Sequence, residues 1–176
     1  MALTKVIGAG IGTVTNQFAD ANMSAGSVLQ VVQSGAIDEV NHNSNQGTWA
    51  DTNYTLAITP SATSSKILVH FHFPFAFKGT GTKLRGALRL NRTIASTTTL
   101  IWNTGSYVEA FHARDSGGTP DEFTSVANMS FLDSPSTTAA TTYTVQQLVK
   151  ADSGSSYALS HRSAYGGAMI LTEVAG

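Results

Sequence analysis

Ser65–Phe77 reads SKILVHFHFPFAF, and Ile67, Val69, Phe71, Phe73, Phe75 and Phe77 fall on alternate positions. Successive side chains of a strand point to opposite faces, so this spacing puts all six on one side of a sheet. A helix would scatter the same phenylalanines around its circumference, and β-branched and aromatic residues suit a pleated surface. The stretch is therefore the expected main core strand. Its other face reads Leu68, His70, His72, Pro74 and Ala76. Pro74 has no N–H to give to a ladder, which predicts a bulge there or an edge position for the strand.

Further strands are expected around it: Ser27–Gln33, Trp49–Thr59, Leu84–Ile94, Thr97–Trp102, Tyr107–His112, Phe123–Leu132, Thr141–Lys150, Tyr157–His161 and Ala168–Val174. Turn signals rich in Gly, Pro, Asn and Ser separate them, and residues 34–48 read as a polar loop. In Leu84–Ile94 the residues Leu84, Gly86, Leu88 and Leu90 share a face opposite Arg85, Arg89 and Asn91. Lys78–Lys83 (KGTGTK) predicts a hairpin joining this strand to the phenylalanine strand. With no long amphipathic stretch, the pattern predicts an all-β fold, an antiparallel β-sandwich or jelly-roll knob over residues 26–176.

The totals narrow the function. The chain has 176 residues, 41% of them hydrophobic, which is enough for one substantial core. A net charge of -1 with 12% charged residues lacks the basic footprint of a nucleic-acid binder. Without cysteine, disulfides, thiolate metal sites and cysteine nucleophiles are excluded. No apolar run approaches the roughly 20 residues that span a bilayer. Residues 1–25 hold little that could build a core. Gly8, Gly10 and Gly12 lack the spacing of a phosphate-binding loop, since position 13 is Thr13. The segment reads as an extended arm whose apolar residues Val6, Ile7, Ile11 and Val14 lie on another subunit or protein.

Gly26–Gln33 (GSVLQVVQ), Ile58–Val69 (ITPSATSSKILV), Ser130–Gln146 (SFLDSPSTTAATTYTVQ) and Ile170–Gly176 (ILTEVAG) resemble, in this order, a module of bacteriophage virion appendages. Such modules occur especially in marine and cyanobacterial phages, in tail-fibre and similar structural proteins. The resemblance covers about residues 26–176 and rests on fibre-protein phrases, not catalytic motifs. It implies a β-rich knob, a homotrimer, carried on the virion surface after assembly in the bacterial host cytoplasm. It brings no catalytic residue and no cofactor. A long fibre has a shaft of repeats before its knob, whereas here about 25 residues without a repeat precede it. That layout fits a capsid decoration or cement protein, or a short head fibre, anchored through its arm to the major capsid protein or another virion protein. The alternative is a tail-fibre tip that recognises a host surface glycan.

Three constellations carry the remaining chemistry. His70 and His72 share a face, and with His112 or His161 they form a candidate metal set; as a polar face opposite the phenylalanines they need no metal. Trp49, Trp102, Tyr107 and Tyr165 are candidate glycan contacts, or else packing and subunit-contact residues. Lys83, Arg85, Arg89 and Arg92 would meet an acidic surface or form an exposed strand face that discourages edge-to-edge aggregation. The adjacent pairs Asp38–Glu39 and Asp121–Glu122 point apart on a strand, unlike the carboxylates of a glycosidase. No G-x-S-x-G elbow is present, so the expectation is a protein without enzymatic activity.

Overall fold

The computed structural model describes residues 23–35, 37, 40–42, 47–79, 83–103, 111–114, 121–151, 156–160 and 166–176. These are all-β, with two antiparallel sheets packed face to face. The strands are β1 (Val28–Gln33), β2 (Val40–His42), β3 (Ala50–Ile58), β4 (Lys66–Gly79), β5 (Lys83–Ile94), β6 (Thr97–Asn103), β7 (Phe111–Arg114), β8 (Asp121–Asp133), β9 (Thr141–Ala151), β10 (Ser156–Ser160) and β11 (Ala168–Val174). The first sheet runs β1-β11-β4-β10-β2 with β8 on the far side of β4, and the second runs β3-β9-β5-β6 with β7 beside β5.

The phenylalanine strand is the axis of the first sheet, which corrects the expectation that Pro74 marks an edge or a bulge. On one side β8 pairs with β4 in unbroken register from Ile67↔Asp133 to Gly79↔Asp121. On the other side β11 pairs with Lys66–His72 and β10 with Phe75–Gly79. Pro74 falls in the gap between those two pairings, where no ladder partner demands its missing N–H. The six alternate residues behave as the periodicity dictates: Ile67, Val69, Phe71, Phe73 and Phe75 are fully buried and Phe77 nearly so. Burial of each such side chain stabilises the fold by about 1.5–3 kcal/mol. Their rings pack as a file, with Phe73 and Phe75 stacked at 5.9 Å and Tyr54 of β3 edge-on to Phe73 at 4.5 Å. Burial pushes the Tyr54 hydroxyl up to about 12.

β4 and β5 do not pair as a hairpin, a second correction. They belong to different sheets and meet across the core through their apolar faces. A Cβ built on Gly86 would lie 1.8 Å from Phe77 Cε2, so the absent side chain is the space the ring fills. β4 takes β8, β11 and β10 as ladder partners, and β5 takes β9, β6 and β7. The polar stretch 34–48 also contributes the short β2, which pairs with β10.

One pole of the sandwich is where the described chain both enters and leaves. The Gly26 N–H donates to Ala175 O and the Ala175 N–H to Ser27 O, each at 2.8 Å, extending the β1–β11 ladder. Gly26 sits at φ +89, a conformation open chiefly to glycine. A cavity of about 220 Å³ opens here, lined by Met23, Leu29, Ser61, Ala62, Ser64, Ser65, Ala175 and Gly176.

Candidate functional site

Three regions carry the polar chemistry: the entry pole and the outer faces of the two sheets. At the pole a single row crosses the inner face of the first sheet as Gln30, Glu173, Ile67 and Asp133, following the ladder registers. Its two carboxylates stitch the sheets together. Asp133 accepts hydrogen bonds from Arg92 Nη1 at 2.8 and 2.9 Å and from the Tyr143 hydroxyl at 2.8 Å. Arg92 and Tyr143 are a registered pair of the second sheet, so this triad spans the layers. Burial, then the hydrogen bond and charge of Asp133, push the Tyr143 hydroxyl far above its ordinary range, with Arg92 opposing.

Glu173 is fully buried. Its Oε1 accepts from the Ser61 N–H at 2.7 Å and the Ser61 hydroxyl at 2.6 Å, and its Oε2 from Gln30 Nε2 at 2.5 Å. Burial alone would raise its pKa, but the hydrogen bonds from Ser61 and Gln30 oppose it and the carboxyl is held below its usual value. The segment it grips, Thr59–Ser65, links β3 of the second sheet to β4 of the first. Gln30 Nε2 also donates to Thr59 O at 2.8 Å. The four stretches that carry the resemblance therefore meet at this pole: Gln30 from the first, Ser61 and Ser65 from the second, Asp133 and Tyr143 from the third, Glu173 from the fourth.

On the outer face of the first sheet His70 and His72 stand side by side. His70 Nδ1 lies 2.8 Å from Ser130 Oγ and His72 Nδ1 lies 2.7 Å from Asn128 Oδ1. An amide Oδ1 can only accept, so in the second contact His72 Nδ1 is the donor. Among the described residues no group of three or more His, Asp or Glu is placed to hold a metal. His112 lies in β7 of the other sheet, and His161 lies outside the described residues.

The candidate glycan residues do not form one platform. Trp49 lies on the outer face of the second sheet with the Arg89 guanidinium 4.4 Å from its ring. Arg89 Nε donates to Gln146 Oε1 at 2.5 Å, and Gln146 Nε2 donates to Asp51 Oδ1. Burial lowers the Arg89 pKa, against the pull of Asp51. Trp102 pairs with Leu90 and turns toward the core. Tyr107, Tyr165 and the apolar residues Val6, Ile7, Ile11 and Val14 lie outside the described residues. The basic cluster also divides. Arg92 does not join an exposed face but turns inward to Asp133, its side chain only 18% exposed.

No family model and no curated protein matches this chain. Among solved structures, the VP2 subviral particle of infectious bursal disease virus is similar over 84% of this chain and 33% of that chain, at 12% identity and a TM-score of 0.46. The Gt strain of the same virus matches over 84% of this chain and 32% of that one, at 14% identity and 0.46. Eiger TNF from S. frugiperda matches over 81% and 90%, at 9% identity and 0.33. The chain thus spans about a third of the length of the virus proteins it matches. Similarity of this degree concerns the arrangement of strands and says nothing of activity. Among the described residues no helix is long and apolar enough to cross a membrane.

Proposed function

We propose that this chain is a phage virion structural protein: a trimeric knob that decorates or cements a capsid, attached through its N-terminal residues. The observation that carries the reading is the convergence at the entry pole. The four stretches resembling phage appendage modules are distant in sequence, yet Glu173 ties the first, second and fourth together and the third lies beside the second in the ladder at Ile67↔Asp133. The phrases that look like a fibre knob are thus the ones that hold this sandwich shut. Met23, the first described residue, lies at this same pole with Ala175 and Gly176. A tether at one pole leaves the opposite pole free to project.

The glycan-binding alternative draws less support. Trp49 and Trp102 lie on opposite faces of the second sheet, and Arg89 lies over the Trp49 ring. Removing residues 1–22 tests the choice. The decoration reading expects the shortened chain to stay folded and self-associated while losing attachment to phage heads, read by co-sedimentation. Retained head binding would overturn the anchoring role. Binding of the shortened knob to host cells would instead favour the receptor-binding reading.

A further inference from the structure

His70 and His72 take no part in the core or in the pole clamp. They stand two positions apart on β4, His70 exposed and His72 partly so. Side chains at that spacing leave the same face of a strand about 6.7 Å apart. Both rings are held from the same side by the neighbouring strand, because β8 sets Ser130 opposite His70 and Asn128 opposite His72. Both contacts use Nδ1, at 2.8 Å to Ser130 Oγ and 2.7 Å to Asn128 Oδ1. His72 Nδ1 is the donor in its contact, so the neutral ring carries its lone pair on Nε2. A serine hydroxyl accepts as readily as it donates, so His70 is free to take the same tautomer. Two imidazoles anchored to oxygen through one ring nitrogen and presenting the other share the arrangement of metal-ligating histidines, where that second hydrogen bond fixes tautomer and ring orientation.

We infer that His70 and His72 form a two-point chelate for a divalent ion of the class that imidazole suits, zinc, nickel or copper, bound through the two Nε2 atoms. Metal–nitrogen bonds of about 2.0–2.1 Å require the two Nε2 atoms to lie within about 4 Å of each other. Rings that leave the strand about 6.7 Å apart reach that separation when each tip leans inward by about 1.3 Å. That is a small tilt for side chains at the surface. The surrounding rungs permit it. The His70 rung continues to Ile170 and the His72 rung to Ala168, and Leu68 with Leu132 and Pro74 with Val126 flank the pair. None of these residues carries a positive charge to repel a dication. Among the described residues no third His, Asp or Glu completes the set. Two protein ligands leave the remaining positions to water, so the ion is exchangeable and held less tightly than in a closed structural site. The site requires neither a cavity nor a second copy, and it is independent of the decoration reading.

The test is calorimetric titration of zinc into the full-length chain near neutral pH. The chain has no cysteine to compete for the ion. The inference expects His70→Gln and His72→Gln each to lower the affinity at least about tenfold, and His112→Gln on the other sheet to leave it unchanged. Asn128→Ala keeps both imidazoles but frees His72 Nδ1, and it should weaken binding about tenfold, the usual size of a lost supporting hydrogen bond. Absence of zinc binding, survival of full affinity in both histidine variants, or a loss from only one of them overturns the chelate. An Asn128→Ala variant that binds as tightly as wild type overturns the anchoring that selects this pair. Should a variant fail to fold by circular dichroism, the imidazole nitrogen resonances of the wild type decide: zinc should shift Nε2 of His70 and of His72 together, and a shift of one alone or of neither overturns the inference.

Discussion

The two outer faces of the sandwich solve the same problem in opposite ways. The second sheet's outer face closes its polar groups on one another. Thr55 meets Thr144 at 3.0 Å, Thr93 meets Thr98 at 2.9 Å, and Asp51, Gln146 and Arg89 form a chain that ends on Trp49. The first sheet's outer face has no ion pair among its described residues, leaves valine and leucine in the open, and uses only part of the hydrogen-bonding capacity of His72 and Asn128. One face completes its own network; the other leaves hydrogen-bonding capacity open at its surface. The difference is written in two β-strand neighbourhoods of one fold, so architecture does not dictate it.

The largest effect expected from breaking this contrast comes from the pole. Asp133→Ala strands Arg92 and Tyr143 between the layers, and removal of one partner from a buried pair costs about 3–5 kcal/mol. Both faces should then be lost together in a urea titration; a loss under ~1 kcal/mol would mean that the sheets are held elsewhere. Glu173→Gln should cost about 1–3 kcal/mol, because buried donors lose a charged acceptor. The pH dependence has a fixed sign. A carboxyl held below its unfolded value stabilises the fold above that value, and the contribution is lost as pH falls through the folded one. Wild type should therefore lose stability on acidification below the usual carboxylate range, and Glu173→Gln should flatten that part of the profile; parallel profiles would remove Glu173 from the account.

Smaller effects separate the faces themselves. Thr55→Glu should cost about 0.5–1 kcal/mol of folding stability through the lost bond to Thr144, while Val31→Glu, at an exposed position, should change it by less than about 0.5 kcal/mol in a urea titration. Equal effects from the two would erase the contrast. Last, Arg89→Ala should lower folding stability by about 0.5–1 kcal/mol in the same titration, the size of an exposed cation–π contact.

The sequence displayed the sandwich and its wall of rings, because alternation is local. It also showed that His70 and His72 share a face and that Gly86 belongs with Leu84, Leu88 and Leu90. What it could not display was pairing. Pro74 argued for an edge only while β4 was considered alone; the gap between β11 and β10 is a property of three strands. The glycine-bearing stretch after Lys78 looked like a hairpin, although the strands before and after it belong to different sheets. The pole clamp left a signal that went unread. Glu173 continues the buried phase of Met169 and Leu171, and Asp133 that of Met129 and Phe131. A carboxylate in step with core residues asks for buried donors. Those donors, Ser61 and Arg92, lie more than forty positions away from one or other acid and become visible only once the sheets are assembled.

The ladder between β1 and β11 has a mechanical meaning. The chain enters β1 at the pole, and the bonds to β11 run across the strand direction. Tension drawn through Met23 along that direction would load every rung of the ladder in shear at once instead of peeling them off singly. If the chain is held through its N-terminal residues as proposed, a pull on that end would be resisted by the strength of the whole ladder.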